Sequence, residues 1–176
     1  MTYIPPNKIE SRAAALLEKA CIEKPAVSVE KIASALGAVI EYSRLNNALS
    51  GLVFLGGEKP IIGVNAGDPP NRQRFTIAHE IGHIVLHAAQ IGRDIHVDRG
   101  FTVLRRDSRS AQGTDALEIQ ANRFAAALLM PRAFLERSIA EEGIEIDDDK
   151  RAVPSLAGTY RVSEAAMQIR LASLFV

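Results

Sequence analysis

The stretch Arg72-Gln-Arg-Phe-Thr-Ile-Ala-His79-Glu80-Ile-Gly-His83-Ile-Val-Leu-His87 decides how the chain is interpreted, because it contains the pattern His-Glu-x-x-His. On a helix, two histidines four residues apart lie on nearly the same face, about 40° apart around the axis and ~6 Å along it. One metal ion can accept a ring nitrogen from each at about 2.0–2.1 Å, the usual Zn–N distance. The glutamate is placed to reach a water on that ion, which is the arrangement of H-E-x-x-H metalloproteases.

The residues around this motif favour a buried helix. Its neighbours are mostly apolar, and no proline occurs between Pro70 and Pro131. The segment Asp68-Pro69-Pro70-Asn71 is typical of a helix start, with Asn71 or Asp68 as the capping residue. The alternative is an amphipathic core helix whose histidines are satisfied by hydrogen bonds. The motif and its setting together favour the metal site.

Composition limits the classes of protein to be considered. The 176 residues suffice for one domain with a sizeable core, or for a core and a small appendage. Lysine plus arginine equals aspartate plus glutamate, so bulk charge does not favour nucleic acid. Cys21 is the only cysteine, which excludes an internal disulfide. We find no signal peptide and no apolar run near the ~20 residues of a membrane span, so we expect a cytoplasmic protein.

The residues before the motif predict two helices and then a small sheet. The helices cover residues 7–24 and 28–37, and strands are predicted at residues 38–45, 50–55 and 60–65. A hairpin loop at residues 56–59 joins the last two strands. We therefore predict an α+β fold with a small three-stranded antiparallel sheet. An edge strand of this sheet could bind an extended peptide, or the sheet could only pack against the motif helix.

A second helix supplies a further candidate ligand. Residues 114–130 are apolar around most of the helix circumference, which predicts burial. Glu118 and Asn122 are its conspicuous polar positions, and they lie on one face. Burying a charged glutamate lowers the stability of the fold by roughly several kcal/mol unless the carboxylate is paired or bound to a metal. Since two histidines and one glutamate form a known zinc ligand set, we choose Glu118 as the third ligand. The alternative is a glutamate favoured by the helix dipole.

The remaining segments carry weaker signals. Short strands are possible at residues 95–98 and 101–104, followed by a polar loop at 105–113. The acidic segment 145–150 is the best boundary, which predicts a domain of residues 1–145 and an appendage of residues 146–176. Residues 153–176 resemble a helix-turn-helix. Arg161 and Arg170 are its only strong cation candidates, so DNA binding there is disfavoured relative to an interaction or core-completing role.

Two motif blocks resemble the ImmA/IrrE family of zinc metallopeptidases. One is the block 74–87 quoted above, and the other is Glu118-Ile-Gln-Ala-Asn-Arg-Phe-Ala-Ala-Ala-Leu-Leu-Met-Pro131. The likeness extends from about residue 28 to the end of the chain. It implies a zincin-like core in which a small sheet and packed helices surround the motif helix.

The resemblance also implies roles for individual residues. His79, His83 and Glu118 would be the zinc ligands of a gluzincin-type site, and Glu80 would be the catalytic base. Asn122 stands where related peptidases place a residue that orients the first histidine. The ligand set accepts other metals too, because manganese, cobalt and iron also bind two histidines and a glutamate.

The expected substrate follows from the same resemblance. Members of this family often cleave a helix-turn-helix transcriptional repressor at one defined place, in stress responses, mobile elements or toxin–antitoxin-like modules. The alternative function is a zinc-containing binding module that sequesters a partner protein without cutting it.

Two features of the expected site need separate treatment. His87 continues the four-residue spacing, but it lies about one helical turn beyond an ion held by the first two histidines. We therefore leave His87 out of the ligand set. No residue is identified as the donor that stabilises the oxyanion, for which Tyr42, His96 and Tyr160 are unsupported candidates.

Overall fold

The computed structural model describes residues 3–45, 49–92, 95–98, 111–144 and 151–175, with the backbone alone at 95–98 and 111–115. These residues form an α+β fold that is rich in helix. In chain order the elements are α1 (Pro6–Lys19), α2 (Val29–Ala35), β1 (Val39–Ser43), β2 (Gly51–Phe54), β3 (Ile61–Asn65), α3 (Pro70–Ile91), β4 (Ile95–Asp98), α4 (Ala111–Leu129), α5 (Arg132–Glu142), α6 (Ala152–Tyr160) and α7 (Glu164–Phe175). Of the weaker expectations, residues 95–98 do form a strand. Residues 111–113 belong to α4 and not to the predicted polar loop, and residues 101–110 lie outside the described residues.

The sheet differs from the predicted three-stranded antiparallel one. Among the described residues it has four strands in the order β1-β3-β2-β4, and β1 pairs with β3 in parallel. The predicted hairpin is present, since β2 and β3 are antiparallel. The physical reason lies in β3, whose Ile62, Gly63 and Val64 are all buried. A strand buried on both faces needs a neighbour at each edge. The mostly exposed β1 fills the edge of β3 that β2 leaves open.

Helix α3 packs against β2 and β3 with its apolar side. Ile77, Ala78 and Ile81 of α3 belong to the same buried core as Val53 and Ile62 of the sheet. This contact fixes the motif helix on a rigid support. The side of α3 that carries the histidines is then available to α4.

The start of α3 also differs from the prediction. Neither Asn71 nor Asp68 caps the helix, because Pro69 occupies the N-cap position and Pro70 the first helical position. Proline suits that position, where a backbone N–H would have no partner within the helix. Asn71 instead donates a hydrogen bond to the backbone oxygen of Val162, at 3.2 Å.

Gly82 allows α3 and α4 to approach closely. A Cβ atom at this position would lie 3.2 Å from both the Cα and the backbone oxygen of Ala121, and 3.3 Å from Cβ of Phe124. A larger residue would therefore press against the backbone of α4. The close approach brings the polar face of α4 onto the histidines of α3.

The C-terminal helices pack on the same core. Leu156 and Tyr160 of α6 and Met167 and Leu171 of α7 are buried in it. Residues 145–150 lie outside the described residues, so the predicted division at 145/146 stays a prediction. Among the described residues, no helix combines the length and hydropathy of a membrane span.

Candidate metal centre

The two histidines of the motif meet on one face of α3, as their spacing predicts. The Nε2 atoms of His79 and His83 are 3.0 Å apart, and the rings contact edge to face with centroids 4.7 Å apart. The two side chains are 1% and 0% exposed. Both nitrogens therefore point into a protected space between α3 and α4.

Glu118 reaches the same space from α4. Its Oε2 lies 3.0 Å from Nε2 of His79, and its Oε1 lies 3.4 Å from Nε2 of His83. Potential ligand atoms of the three residues all lie within 4.8 Å of one another. Glu118 is 26% exposed, so the cluster borders the protein surface on this side.

The donor set fits a tetrahedral metal ion. An ion with ligands at about 2.0–2.1 Å sets neighbouring ligand atoms roughly 3.3 Å apart. The three contacts observed here, at 3.0, 3.0 and 3.4 Å, are close to that spacing. Two imidazole nitrogens and a carboxylate oxygen are also the ligand types of catalytic zinc sites.

The hydrogen bond to Asn122 shows which ring nitrogen of His79 is protonated and which one faces the cluster with its lone pair. The Oδ1 of Asn122 can only accept, so Nδ1–H of His79 donates to it, at 2.9 Å. In the neutral ring, Nε2 then carries a lone pair that faces the carboxylate of Glu118. Two acceptors at 3.0 Å are stabilised only when a proton or a cation lies between them. A metal ion between these atoms would satisfy both acceptors, as would a proton on Nε2 of His79.

Glu80, the predicted catalytic base, is fully buried on α3 and faces β2. A Cβ atom at Gly51 of β2 would lie 3.0 Å from Oε1 of Glu80 and would overlap the side chain of Thr76. The absence of a side chain at Gly51 therefore leaves room for the carboxylate. Sequence reasoning did not identify this role of the glycine.

His87 lies on the outer side of His83. Its Nδ1 is 3.1 Å from Nδ1 of His83, and its Nε2 is 3.2 Å from Oε1 of Gln120 on α4. These two contacts of His87 are therefore made with atoms other than the candidate ligand atoms. Sequence reasoning also missed Gln120, although a glutamine on an otherwise apolar helix is the kind of signal that singled out Glu118.

The structure describes the side chains of two of the three unsupported candidates for the oxyanion donor. The hydroxyl of Tyr160 is 3.0 Å from Oγ of Ser138 within the core, and burial raises the pKa of Tyr160 while this hydrogen bond lowers it. Tyr42 lies on β1 and is largely exposed. The pKa of Tyr42 is raised, mainly because its hydroxyl is partly desolvated and to a lesser extent by the negative charge of Glu30. The side chain of His96 lies outside the described residues.

A largely apolar groove of ≈ 900 Å³ lies beside the cluster. Residues of α1, α3, α4 and α7 line it, and Asn122 is the member of the candidate site among them. The groove therefore lies next to the candidate metal centre, and His79, His83 and Glu118 are not among the residues that line it.

Comparisons with known proteins show which family, relative and solved structure the chain resembles. Residues 33–172 match the family model described as Peptidase_M78, IrrE N-terminal-like domain. The radiation response metalloprotease IrrE of Deinococcus radiodurans is 35% identical over 111 residues, which cover 62% of this chain and 30% of that protein. The structure of a Mycobacterium tuberculosis transcriptional regulator superposes with a TM-score of 0.66 at 18% identity, over 99% of this chain and 49% of that one. At that identity the likeness concerns the fold alone. The chain spans half or less of the length of both relatives.

Proposed function

The chain belongs to the ImmA/IrrE family of metallopeptidases, and from this premise we propose that it is a zinc-dependent endopeptidase acting on a partner protein. The observation that carries the proposal is the convergence of His79, His83 and Glu118 from two helices. We assign these three residues as the zinc ligands. A zinc ion held there would supply a Lewis acid for the scissile carbonyl and for the attacking water.

Glu80 is proposed to move the proton of the reaction. Its carboxylate would accept a proton from the attacking water while the water oxygen bonds to the carbonyl carbon. The same carboxyl group would then give that proton to the leaving amine as the peptide bond breaks. Glu80 follows His79 in the motif helix, so the base and the first ligand share one rigid element.

We propose a helix-turn-helix transcriptional repressor as the substrate. The support is the family resemblance, and the name of the Deinococcus relative places that protein in a radiation response. We further propose that the core is zincin-like, that residues 146–176 are helix-turn-helix-like, and that the protein is cytoplasmic.

DNA binding through residues 153–176 is the less favoured function. Arg170, one of the two cations considered for it, is only 3% exposed and is paired with Glu10. A buried, paired guanidinium is not available to a phosphate. Arg161 is exposed at the end of α6. Of Arg161 and Arg170, only Arg161 is exposed, and a single arginine is weak support for binding nucleic acid.

The test is cleavage of a repressor encoded beside the gene, by the wild type and by Glu80→Gln, each with measured zinc content. We expect a single cut by the wild type and its loss in Glu80→Gln, with zinc retained. Glu136→Gln, which changes an exposed glutamate of α5, should cleave normally. Equal rates for Glu80→Gln and wild type would show the mechanism to be wrong. A stable complex with an uncut partner would favour the non-cleaving binding module.

A further inference from the structure

We propose that Gln120 and His87 are positioning residues that fix the tautomer of His83, so that its Nε2 presents a lone pair to the metal site. The inference rests on the proposed metal site and deepens it. It concerns two residues outside the ligand set, and it assigns them a shared task that can be measured separately from catalysis.

The first step is the hydrogen bond between Gln120 and His87. The Oε1 of Gln120 lies 3.2 Å from Nε2 of His87, and an amide oxygen can only accept. Nε2 of His87 therefore carries the hydrogen. In a neutral imidazole only one nitrogen is protonated, so Nδ1 of His87 is left as an acceptor.

The second step is the hydrogen bond between His87 and His83, which determines which nitrogen of His83 is protonated. The Nδ1 atoms of His87 and His83 are 3.1 Å apart, which requires that one of them donates. Since Nδ1 of His87 is the acceptor, Nδ1–H of His83 is the donor. The lone pair of neutral His83 is then on Nε2, the atom that faces His79 and Glu118.

The opposite polarity would block the site. An amide of Gln120 rotated to offer its NH₂ group would place the hydrogen of His87 on Nδ1. His83 would then accept at Nδ1 and carry its hydrogen on Nε2, and a protonated nitrogen cannot ligate a metal. Whether Gln120 presents its oxygen or its NH₂ group therefore determines, through His87, which nitrogen of His83 holds the lone pair.

Burial makes this chain of hydrogen bonds effective. His83 and His87 are 0% exposed and Gln120 is 7% exposed, so bulk water has little access to them. The arrangement also matches that of the other histidine ligand. Asn122, two residues after Gln120 on α4, accepts from Nδ1–H of His79. Helix α4 therefore supplies one ligand and the two amide oxygens that orient both histidines.

The experiment compares Gln120→Glu with Gln120→Met by competition with a zinc chelator. An ionised carboxylate can only accept, so Gln120→Glu preserves the polarity and should bind zinc as tightly as the wild type. Gln120→Met has a similar shape but no strong acceptor. We expect zinc affinity to fall by about tenfold, the lower end of the effect of losing a ligand's direct partner, because Gln120 acts on His83 through His87. Gln168→Met, an exposed change on α7, is the matched control and should bind normally.

A second measurement needs no substitution and no metal. Nitrogen-15 spectra of the histidine rings in the metal-free wild type should show the hydrogen of His87 on Nε2 and that of His83 on Nδ1. A hydrogen on Nδ1 of His87 would overturn the inference. So would a Gln120→Met variant that folds and binds zinc with wild-type affinity, or a Gln120→Glu variant that loses it.

The two measurements separate this inference from the proposed function. Zinc affinity and ring tautomers are read without any substrate, and both can be recorded in the Glu80→Gln background. A wild type that binds zinc and shows the stated tautomers but cleaves no partner would refute the peptidase while supporting the roles of Gln120 and His87.

Discussion

Asn122 shows how a single side chain can orient a proposed metal ligand. Its Oδ1 accepts from Nδ1–H of His79, which leaves Nε2 of that ring to the cluster. Partners of this kind fix both the tautomer and the orientation of a ligand histidine. The residue contributes no atom to the proposed first set of ligands, yet it should matter almost as much as they do.

We therefore predict that Asn122→Ala weakens zinc binding by about 10–100-fold. Asn122→Asp should retain affinity, because a carboxylate accepts at the same place. Chelator competition measures both, and circular dichroism of the metal-free proteins controls for misfolding. Wild-type affinity in a folded Asn122→Ala variant would exclude this role for the asparagine.

The individual site residues could be predicted to different extents. The spacing of His79 and His83 translates directly into helix geometry, and Glu118 was conspicuous on an apolar helix. The four-residue spacing puts His87 about one turn beyond an ion held by His79 and His83, and its place outside the ligand set stays a prediction. Gln120 could not be assigned, because its task depends on which ring of another helix it meets.

At the scale of elements, the contact between α3 and α4 determines the site. It brings the proposed ligands of two helices to within hydrogen-bonding distance, and it depends on Gly82. The sequence predicted both helices and, through the choice of Glu118, that they meet. It did not predict the contact at Gly82, because nothing local marks which glycine faces another backbone. Strand positions were predicted within two residues, whereas strand order was not. That order depends on which strand is buried on both faces, which only the assembled sheet reveals.

We predict that Gly82→Ala lowers both stability and zinc affinity. The added methyl group would press on the backbone of Ala121, and overpacking of this kind costs about 1–3 kcal/mol. Chemical denaturation gives the free energy of unfolding, and chelator competition gives the affinity.

Gly158→Ala on α6 is the matched control, since no atom lies within 4 Å of its added Cβ. Its higher helix propensity should stabilise the protein by up to about 1 kcal/mol. Equal effects of the two substitutions would contradict the proposed role of close packing.

At the scale of the whole molecule, Arg170 joins the C-terminal helices to the rest of the fold. Its Nε donates to the backbone oxygen of Met130 at 3.0 Å, and its guanidinium pairs with Glu10 of α1. From the sequence, Arg170 was a candidate cation for binding phosphate. Its buried contacts could not be predicted, because a contact between distant segments leaves no local sequence pattern. An acidic linker suggested a boundary, but composition does not report how the segments on either side pack.

We predict that Arg170→Ala lowers the free energy of unfolding by about 3 kcal/mol, the lower end for a broken buried ion pair because Glu10 is partly exposed. Glu136→Ala removes an exposed pair with Arg132 and should cost less than about 1 kcal/mol. Denaturant titration measures both. A negligible effect of Arg170→Ala would mean that α7 is held by its apolar contacts alone.

The most direct test of the central claim is a crystal structure of the zinc-loaded protein, with anomalous diffraction recorded at the zinc edge. We expect one peak at about 2.0–2.2 Å from Nε2 of His79, Nε2 of His83 and an oxygen of Glu118. His87 should lie outside coordination distance. A peak ligated by His87, or one that excludes Glu118, would contradict the account.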